Sequence, residues 1–452
     1  MKYFGTDGIR GKVNTFPMIP EIVLKLGMAI ASVIRDDHGR NMVLIGKDTR
    51  LSGYMIESAL TSGLCAKGVN VTLVGPIPTP AVAFLTRTLR LDAGIVISAS
   101  HNPFYDNGIK IFSSEGYKLP DELEMQIEKK LDDDTFPKRR AFSDRIGKAF
   151  RLDDATGRYI EYVKSTIPKG SDLEGMKIVV DCANGSAYKC TPMLFKELGA
   201  EVMTINDKPD GLNINEGCGA LYPDGLKKVV LSNGYDVGVA HDGDADRTIF
   251  IDNKGNTVDG DIVLGICALE YKKKKKLKGD VVVATTMSNL GLERFLQSKG
   301  IVLVRTRVGD RYVVEEMLKR SANLGGEQSG HIVFGDYNTT GDGMLTALQL
   351  LHIIKEKGKS LSELASSISL YPQILVNIET TRKRDLKSFV EIKEVIENAE
   401  KSLKGRGRLL VRPSGTEPKI RVMVEADDIN LCERWANEVS GVIKECLSKD
   451  AQ

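Results

Sequence analysis

The stretch MVLIGKDTRLSGYMIESALTSGLCAKGVNVTLV, residues 42–74, follows a plan that occurs three times in the chain. A short β-branched run is followed by a polar loop, an amphipathic stretch of helical period, a glycine and a second β-branched run, which predicts a βαβ unit. The same plan is found in KIVVDCANGSAYKCTPMLFKELGAEVMTI (177–205) and DVVVATTMSNLGLERFLQSKGIVLVRT (280–306). We therefore expect three similar α/β domains.

A polar loop also follows each repeat, between two further strands. The three segments are DAGIVISASHNPFYDNGIKIF (92–112), DVGVAHDGDADRTIFID (236–252) and NLGGEQSGHIVF (323–334). Because loops at the carboxyl edge of α/β sheets bind ligands, these loops are candidate functional sites. The chain from about Pro372 lacks the plan and predicts a fourth, smaller α+β domain. The expected domains are 1–150, 151–253, 254–368 and 369–452.

Composition and charge exclude several classes of protein. The 452 residues exceed what one hydrophobic core usually supports, and 63 basic against 61 acidic residues give a net charge of +2. This balance argues against nucleic-acid or membrane partners recruited by bulk electrostatics. Since the chain shows neither a signal-peptide core nor an apolar run approaching the roughly 20 residues that span a bilayer, we expect a cytoplasmic protein. Seven cysteines without a C-x-x-C pair predict reduced, mostly buried thiols, and the lysines at 272–276 predict a solvated helix end.

The loop HDGDADR, residues 241–247, predicts a metal site. Asp242, Asp244 and Asp246 place three carboxylates at alternate positions, with small residues between them and Arg247 beside them. Three hard oxygen donors on one short loop suit Mg²⁺. A solvated acidic turn is the structural alternative.

Ser100, in the equivalent loop of the first domain, is a candidate acceptor of a phosphoryl group. A serine after a strand is most often a local cap or turn residue. Next to a metal loop, however, a hydroxyl is suited to phosphoryl transfer, because the metal neutralises charge on the phosphoryl oxygens. Arg10 and Lys110 are cations that could hold the resulting phosphate, and both could instead be surface charges.

Two other loops carry groups suited to a sugar phosphate. Glu327, Gln328 and Ser329 offer a carboxylate, an amide and a hydroxyl to sugar hydroxyl groups, although a polar turn explains them equally well. The segment RPSGTEP and the arginine beyond it suit a phosphate, with a hairpin tip as the structural alternative. Its candidate ligands are Arg412, Ser414, Gly415, Thr416 and Arg421. The chain has no GxxxxGK[ST] motif, which disfavours a P-loop kinase.

The segments SASHNP, DGDADR, GEQSGH and RPSGTEP, one per domain and in that order, resemble the four signature loops of the α-D-phosphohexomutase family. The resemblance covers essentially the whole chain. It implies four domains in a heart-shaped arrangement around a central cleft, with three α/β domains and a carboxy-terminal domain of TATA-binding-protein-like topology. The segments KYFGTDGIRG and GKDTRLSG, and the alanine in DGDADR, resemble the bacterial members that act on amino sugars.

The resemblance also implies a reaction and residue roles. Glucosamine 6-phosphate and glucosamine 1-phosphate would be interconverted, feeding UDP-N-acetylglucosamine and the cell wall, through a phosphoserine at Ser100 and glucosamine 1,6-bisphosphate. The three aspartates and the phosphoserine would ligate one Mg²⁺. Glu327 and Ser329 would hold the sugar in both orientations, while the RPSGTEP loop and Arg421 hold the phosphate that is not reacting.

The general acid and base are inferred from position. Lys110 and Arg247 lie on the appropriate loops, and Lys110 is the favoured candidate. Some family members carry a histidine where this chain has the sequence VGDR (308–311), so that residue cannot be transferred. His101, next to Ser100, is the remaining candidate, with a role in ordering the loop as its alternative.

Three other functions remain open at the level of sequence. A phosphomannomutase or phosphoglucomutase acting on neutral hexose phosphates would use nearly the same groups, and only the resemblance of Gln328 and Ala245 favours the amino sugar. Access of water to a phosphoserine would make a phosphatase, and a protein without turnover would be a sugar-phosphate-binding protein. Both a monomer and a homodimer are compatible with the sequence.

Overall fold

The computed structural model describes residues 2–5, 7–34, 40–133, 135, 140–380, 386, 389–413 and 419–449. The chain divides into two compact units. The first comprises Met1–Ser288 and Lys299–Ser367, and the second comprises Asn289–Ser298 and Ile368–Gln452. Among the described residues, three sheets lie in the first unit and one in the second.

The first sheet has seven strands in the order β1-β2-β6-β5-β3-β4-β7. They are β1 (Phe4–Gly5), β2 (Gly8–Lys12), β3 (Met42–Lys47), β4 (Asn70–Pro76), β5 (Ala93–Ile97), β6 (Asp106–Ser113) and β7 (Ala149–Arg151). The accompanying helices are α1 (Pro20–Ile34), α2 (Gly53–Cys65), α3 (Thr79–Thr88) and α4 (Asp121–Asp132). The first predicted βαβ unit is confirmed as β3, α2 and the parallel strand β4.

The second sheet has five strands in the order β12-β11-β10-β8-β9. They are β8 (Lys177–Asp181), β9 (Glu201–Ile205), β10 (Val237–His241), β11 (Thr248–Asp252) and β12 (Thr257–Val258), with helices α5 (Ala155–Lys164), α6 (Cys190–Glu197) and α7 (Asp224–Asn233). Strands β8 and β9 are parallel and flank α6, so the second predicted unit is also confirmed.

The third sheet has four strands in the order β14-β13-β15-β16. They are β13 (Val281–Thr285), β14 (Val302–Thr306), β15 (Leu324–Gly326) and β16 (Ile332–Phe334). The helices of this region are α8 (Gly260–Lys273), α10 (Asp310–Arg320), α11 (Gly343–Lys357) and α12 (Leu361–Ala365); the helix between β13 and β14, α9 (Leu290–Ser298), belongs to the second unit. Strands β13 and β14 are parallel, as predicted, and the lysines at 272–276 form the predicted carboxyl end of α8.

The three candidate loops occupy the same topological position. Each follows a strand that is parallel to one neighbour and antiparallel to the other, namely β5, β10 and β15. The first two of these strands, AGIVI and VGVAH, are buried along their whole length, as expected for strands covered on both faces. Each loop therefore begins at the carboxyl end of a central strand, which confirms the predicted placement.

The second unit contains the fourth, smaller domain. Its strands are β17 (Gln373–Glu379), β18 (Gly407–Pro413) and β19 (Lys419–Ala426), in the antiparallel order β17-β19-β18, and its helices are α13 (Val390–Leu403) and α14 (Ile429–Lys449). The helices pack their apolar faces on the sheet through residues such as Ile392, Trp435 and Val439. The predicted α+β domain is confirmed.

Two composition-based predictions concern buried thiols and membrane segments. Six of the seven cysteines are buried and the seventh, Cys65, is partly buried, so the prediction of buried thiols is confirmed. Within the part of the chain that the structure describes, no helix combines the length and apolar character needed to cross a bilayer.

Candidate active site

The loop after β5 presents the hydroxyl of Ser100 to the loop after β10. Ser100 Oγ donates a hydrogen bond to Asp242 Oδ2 at 2.7 Å and lies 3.3 Å from His101 Nδ1. Ser100 adopts a left-handed backbone conformation, with φ at 51°, which is uncommon for a residue with a side chain. Such a conformation persists only where the surroundings hold it, and it is a frequent feature of functional loops.

A buried arginine from the loop after β3 holds the loop that contains Ser100, residues 98–106, which we call the serine loop. Arg50 has no exposed surface and pairs with Asp48 Oδ2 at 2.8 Å. Its guanidinium donates to four carbonyl oxygens of the serine loop: those of Ser100 at 2.9 Å, Asn102 at 2.7 Å, Asp106 at 3.0 Å, and Pro103. The planar fork of arginine can satisfy several acceptors at once. Arg50 therefore fixes the position of the Ser100 backbone.

The loop after β10 brings three carboxylates together. One oxygen from each of Asp242, Asp244 and Asp246 lies within 4.8 Å of the others, and all three side chains are buried. Gly243 is required by close approach, because a Cβ at this position would lie 2.6 Å from the carbonyl oxygen of Ser100. The metal loop and the serine loop thus meet through their backbones as well as through the Ser100 hydroxyl.

These residues fit a divalent cation. Among the described residues, no hydrogen-bond donor contacts the buried oxygens Asp244 Oδ1 and Asp246 Oδ1. Buried carboxylate oxygens are costly without a partner, and a cation supplies one. Ligands about 2.1 Å from Mg²⁺ lie roughly 3 to 4 Å from one another, so small side-chain movements would complete the site. Burial and the neighbouring Asp246 and Asp244 hold the pKa of Asp242 well above its usual range, which is the repulsion that a bound cation relieves.

Two of the predicted cations, Lys110 and Arg10, belong to the ion pairs beside the carboxylates. Lys110 Nζ lies 2.9 Å from Asp244 Oδ2 and 3.2 Å from Asp246 Oδ2. Burial opposes its charge, but these carboxylates and Asp7 outweigh burial and raise the pKa of Lys110 well above the ordinary value. Arg10 pairs with Asp7. Lys110 is therefore held as a cation at the edge of the metal loop.

Arg247 and His101 complete the surroundings of Ser100. Burial opposes the charge of Arg247, but Asp246, Asp242 and Glu327 outweigh burial and raise its pKa. Burial, with the charges of Arg247 and Arg10, lowers the pKa of His101 to about 3, so the imidazole is neutral at physiological pH. A neutral imidazole carries one N–H and one acceptor nitrogen, and a pKa this low makes His101 a weak base.

The predicted sugar loop adjoins the strand that leaves the metal loop. The carbonyl oxygen of Gly330 accepts the backbone N–H of Thr248 at 3.1 Å. Glu327 is half-buried and its Oε1 accepts the backbone N–H of Gly309 at 3.1 Å, while Gln328 Nε2 donates to Asp259 Oδ2 at 3.2 Å. Ser329 is exposed. Three of the four predicted loops therefore lie side by side in the first unit.

The predicted phosphate loop belongs to the second unit. Arg412 on β18 and Arg421 on β19 are directly opposite each other across the strands. Burial and the charge of Arg421 lower the pKa of Arg412, as expected for two cations brought together to receive an anion. The predicted ligands Ser414, Gly415 and Thr416 lie outside the described residues.

Sequence reasoning missed a partly buried ion network beside the site. Lys118 pairs with Asp7 and with Asp310, the first residue of α10, and His331 Nε2 lies 3.4 Å from Asp310 Oδ2. His331 is the last residue of the segment GEQSGH and Asp7 lies in KYFGTDGIRG, but the motifs predict no role for either residue. Lys118 carries no local signal, because its partners are distant in sequence.

Comparison with known proteins identifies the family. Models of the phosphoglucomutase/phosphomannomutase family match along the chain: alpha/beta/alpha domain I at residues 1–138, domain II at 157–255, domain III at 259–371 and the C-terminal domain at 375–442. A phosphoglucosamine mutase from Thermodesulfovibrio yellowstonii is 56% identical over 454 residues, covering 99% of this chain and 100% of the relative.

Solved structures agree with this assignment. A phosphoglucomutase/phosphomannomutase family protein from Burkholderia thailandensis superimposes with a TM-score of 0.80 at 25% identity, covering 98% of this chain and 97% of its own. An Aspergillus fumigatus N-acetylphosphoglucosamine mutase, solved in complex with GlcNAc-6P and magnesium, shares the fold with a TM-score of 0.66 at 17% identity, covering 98% and 96% of the two chains. The predicted resemblance and fold class are confirmed: the chain belongs to the phosphoglucomutase/phosphomannomutase family.

Proposed function

We propose, from the chain's membership of this family, that it is a phosphoglucosamine mutase that interconverts glucosamine 6-phosphate and glucosamine 1-phosphate. One observation carries the chemistry: the Ser100 hydroxyl donates to Asp242 at 2.7 Å, on a loop where three carboxylates lie within 4.8 Å of one another. The choice of an amino sugar is supported by the relative from Thermodesulfovibrio yellowstonii, which carries that name and is 56% identical over the full chain.

The reaction comprises two phosphoryl transfers. In the first, O1 of glucosamine 6-phosphate loses its proton and bonds to phosphorus, the bond from phosphorus to Ser100 Oγ breaks and Oγ takes up a proton, giving glucosamine 1,6-bisphosphate and a free serine. The bisphosphate then turns around. In the second, Ser100 Oγ attacks the 6-phosphate, the bond from phosphorus to O6 breaks, and glucosamine 1-phosphate leaves the phosphorylated enzyme. Atoms balance without an external phosphate donor.

Asp242, Asp244, Asp246 and the phosphorylated Ser100 would hold one Mg²⁺. The bound ion would neutralise charge on the transferring phosphoryl group. Two buried oxygens support this role: Asp244 Oδ1 and Asp246 Oδ1 receive no hydrogen bond from the described residues, and Arg247 Nε lies 3.8 Å from the latter.

Protonation of the leaving sugar oxygen is assigned to Lys110. Lys110, held in its charged form 2.9 Å from Asp244, can donate a proton to a leaving sugar oxygen. The imidazole of His101, 3.3 Å from Ser100 Oγ, has a pKa of about 3 and is too weak a base to accept the serine proton, so we assign it the alternative role of ordering the serine loop. Arg10 and Arg247 remain charged throughout and hold the phosphoryl oxygens.

Sugar and phosphate recognition is divided between two loops. Glu327 and Ser329 would bind sugar hydroxyls in both orientations of the bisphosphate. The distal phosphate would be bound by Arg412, Ser414, Gly415, Thr416 and Arg421, of which the two arginines are opposed across β18 and β19. We further propose that the product supplies UDP-N-acetylglucosamine for peptidoglycan, which makes the cytoplasm the expected location.

The test compares substrates and two serine variants. We expect a higher kcat/KM for glucosamine 6-phosphate than for glucose 1-phosphate or mannose 1-phosphate, and loss of all turnover in Ser100→Ala. Ser98→Ala is the matched control, because Ser98 lies in the same loop but its Oγ donates to Asp48 at 2.6 Å and not to the metal loop. It should weaken turnover without abolishing it.

Three outcomes would overturn the proposal. A preference for a neutral hexose phosphate would assign the alternative mutase specificity. Release of inorganic phosphate without exchange of isomers would indicate a phosphatase. Turnover in Ser100→Ala equal to the wild type would remove the covalent step altogether.

A further inference from the structure

A threonine of the first domain reaches into the metal loop of the second. Thr79 is the first residue of α3, is 1% exposed and lies between Pro78 and Pro80. Its Oγ1 donates to Asp244 Oδ2 at 2.7 Å, and its backbone N–H donates to the Asp244 carbonyl oxygen at 2.9 Å. One residue thus holds both the side chain and the main chain of a candidate metal ligand.

The two oxygens of Asp244 differ in their hydrogen bonds. Oδ2 accepts from Thr79 and from Lys110, the latter at 2.9 Å, whereas Oδ1 is buried and receives no hydrogen bond from the described residues. The χ2 torsion of aspartate is broad, so its carboxylate turns easily unless it is held. Two donors on Oδ2 fix that torsion and leave the buried Oδ1 without a hydrogen bond from the described residues.

The backbone around Thr79 is well suited to hold such a position. A proline has a fixed φ and restricts the residue that precedes it, so Pro80 limits the conformations of Thr79, while Pro78 fixes its own φ at the entry to the helix. The helix that follows is buried through Ala81, Val82 and Phe84. Thr79 therefore acts from a rigid support and not from a mobile loop.

We propose that Thr79 is a positioning residue for the metal: its hydroxyl selects the Asp244 orientation that offers Oδ1 to the ion. The inference rests on the proposed function, because it requires that the aspartate loop binds a divalent cation. Without the hydroxyl, Lys110 is the sole side-chain donor on Oδ2 among the described residues, and the carboxylate is free to turn toward the ammonium group. The lysine then competes with the metal for the same carboxylate.

The experiment measures Mn²⁺ binding directly, by the loss of the free-ion signal in electron paramagnetic resonance, on the full-length protein without substrate. Thr79→Val removes the hydroxyl group at nearly constant side-chain volume, whereas Thr79→Ser keeps the hydroxyl group and removes the methyl group. Thr86→Val is the matched control, because Thr86 is a buried threonine of the same helix whose hydroxyl donates to Val82 O at 2.7 Å, remote from the aspartates.

We expect Thr79→Val to raise the Kd for Mn²⁺ by about tenfold or more, which is the usual loss when a residue that orients a metal ligand is removed. Thr79→Ser and Thr86→Val should bind as the wild type does, and thermal melting should show all three variants folded. Equal Kd values for Thr79→Val and the wild type would overturn the inference, as would an equal loss in Thr86→Val. Absence of saturable Mn²⁺ binding in the wild type would instead overturn the proposed metal site itself.

Discussion

Replacing Arg50 with lysine tests whether the serine loop is held by the guanidinium fork. Arg50 pairs with Asp48 and donates to four carbonyl oxygens within residues 100–106. Lysine keeps the charge but has three donors on a single nitrogen. If one donor serves Asp48, two remain for four carbonyl groups, so at least two hydrogen bonds are lost.

The expected size of the effect follows from that count. A hydrogen bond to a charged group contributes about 1.5 kcal/mol or more, so two lost bonds weaken the loop by about 3 kcal/mol. Each 1.4 kcal/mol corresponds to a factor of ten, which predicts amide exchange about 100-fold faster in the loop. Displacement of Ser100 by about 1 Å should lower kcat by a similar factor.

Hydrogen–deuterium exchange of peptides covering residues 98–106 is the direct assay. The backbone N–H groups of Ser100, Asn102 and Asp106 all have acceptors within this loop, so their protection reports its opening. Arg151→Lys is the control, since the Arg151 side chain is 67% exposed. Exchange of this loop within threefold of the wild type, with unchanged kcat, would refute the assigned role of Arg50.

Two further predictions concern close approach and buried thiols. Gly243→Ala places a Cβ 2.6 Å from the Ser100 carbonyl oxygen and must separate the two loops, so kcat/KM should fall about 100-fold. Gly225→Ala is the control, because the space around Gly225 is open, and its kinetics should match those of the wild type. Equal rates for the two variants would contradict the close approach of the loops. Burial raises the pKa of Cys190 and of Cys267 to about 12. At pH 8 roughly one in ten thousand of these thiols is ionised, so Ellman's reagent should label them only after unfolding, and fast native labelling would be inconsistent with the structure.

Local patterns account for most of what could be predicted from sequence. The βαβ repeats are visible because β-branched runs and helical periodicity are properties of short windows. The aspartate loop is visible because its three carboxylates lie within five residues. The repeat predicts that Ser100 and the aspartate loop occupy equivalent positions in successive domains, whereas their contact across 142 residues results from tertiary packing.

The residues that hold these loops could not be predicted, because their partners are brought together only by tertiary packing. Thr79 and Asp244 are 165 residues apart, and Lys118 and Asp310 are 192 apart. The prolines on both sides of Thr79 are visible in the sequence, but nothing there indicates that Asp244 is its partner. Arg50 appeared within a recognised motif, yet its function depends on four carbonyl groups in a loop that begins 50 residues later.

The central claim, that Ser100 carries the phosphoryl group, is tested most directly by peptide mass spectrometry before and after addition of glucosamine 6-phosphate. We predict one phosphate on Ser100 in the active protein and, after addition of substrate with an 18O-labelled phosphate, labelled phosphate on Ser100 and the enzyme's original phosphate in glucosamine 1-phosphate. Undiminished turnover by protein without phosphate on Ser100, or with the phosphate on Ser98 or any other residue, would contradict the account.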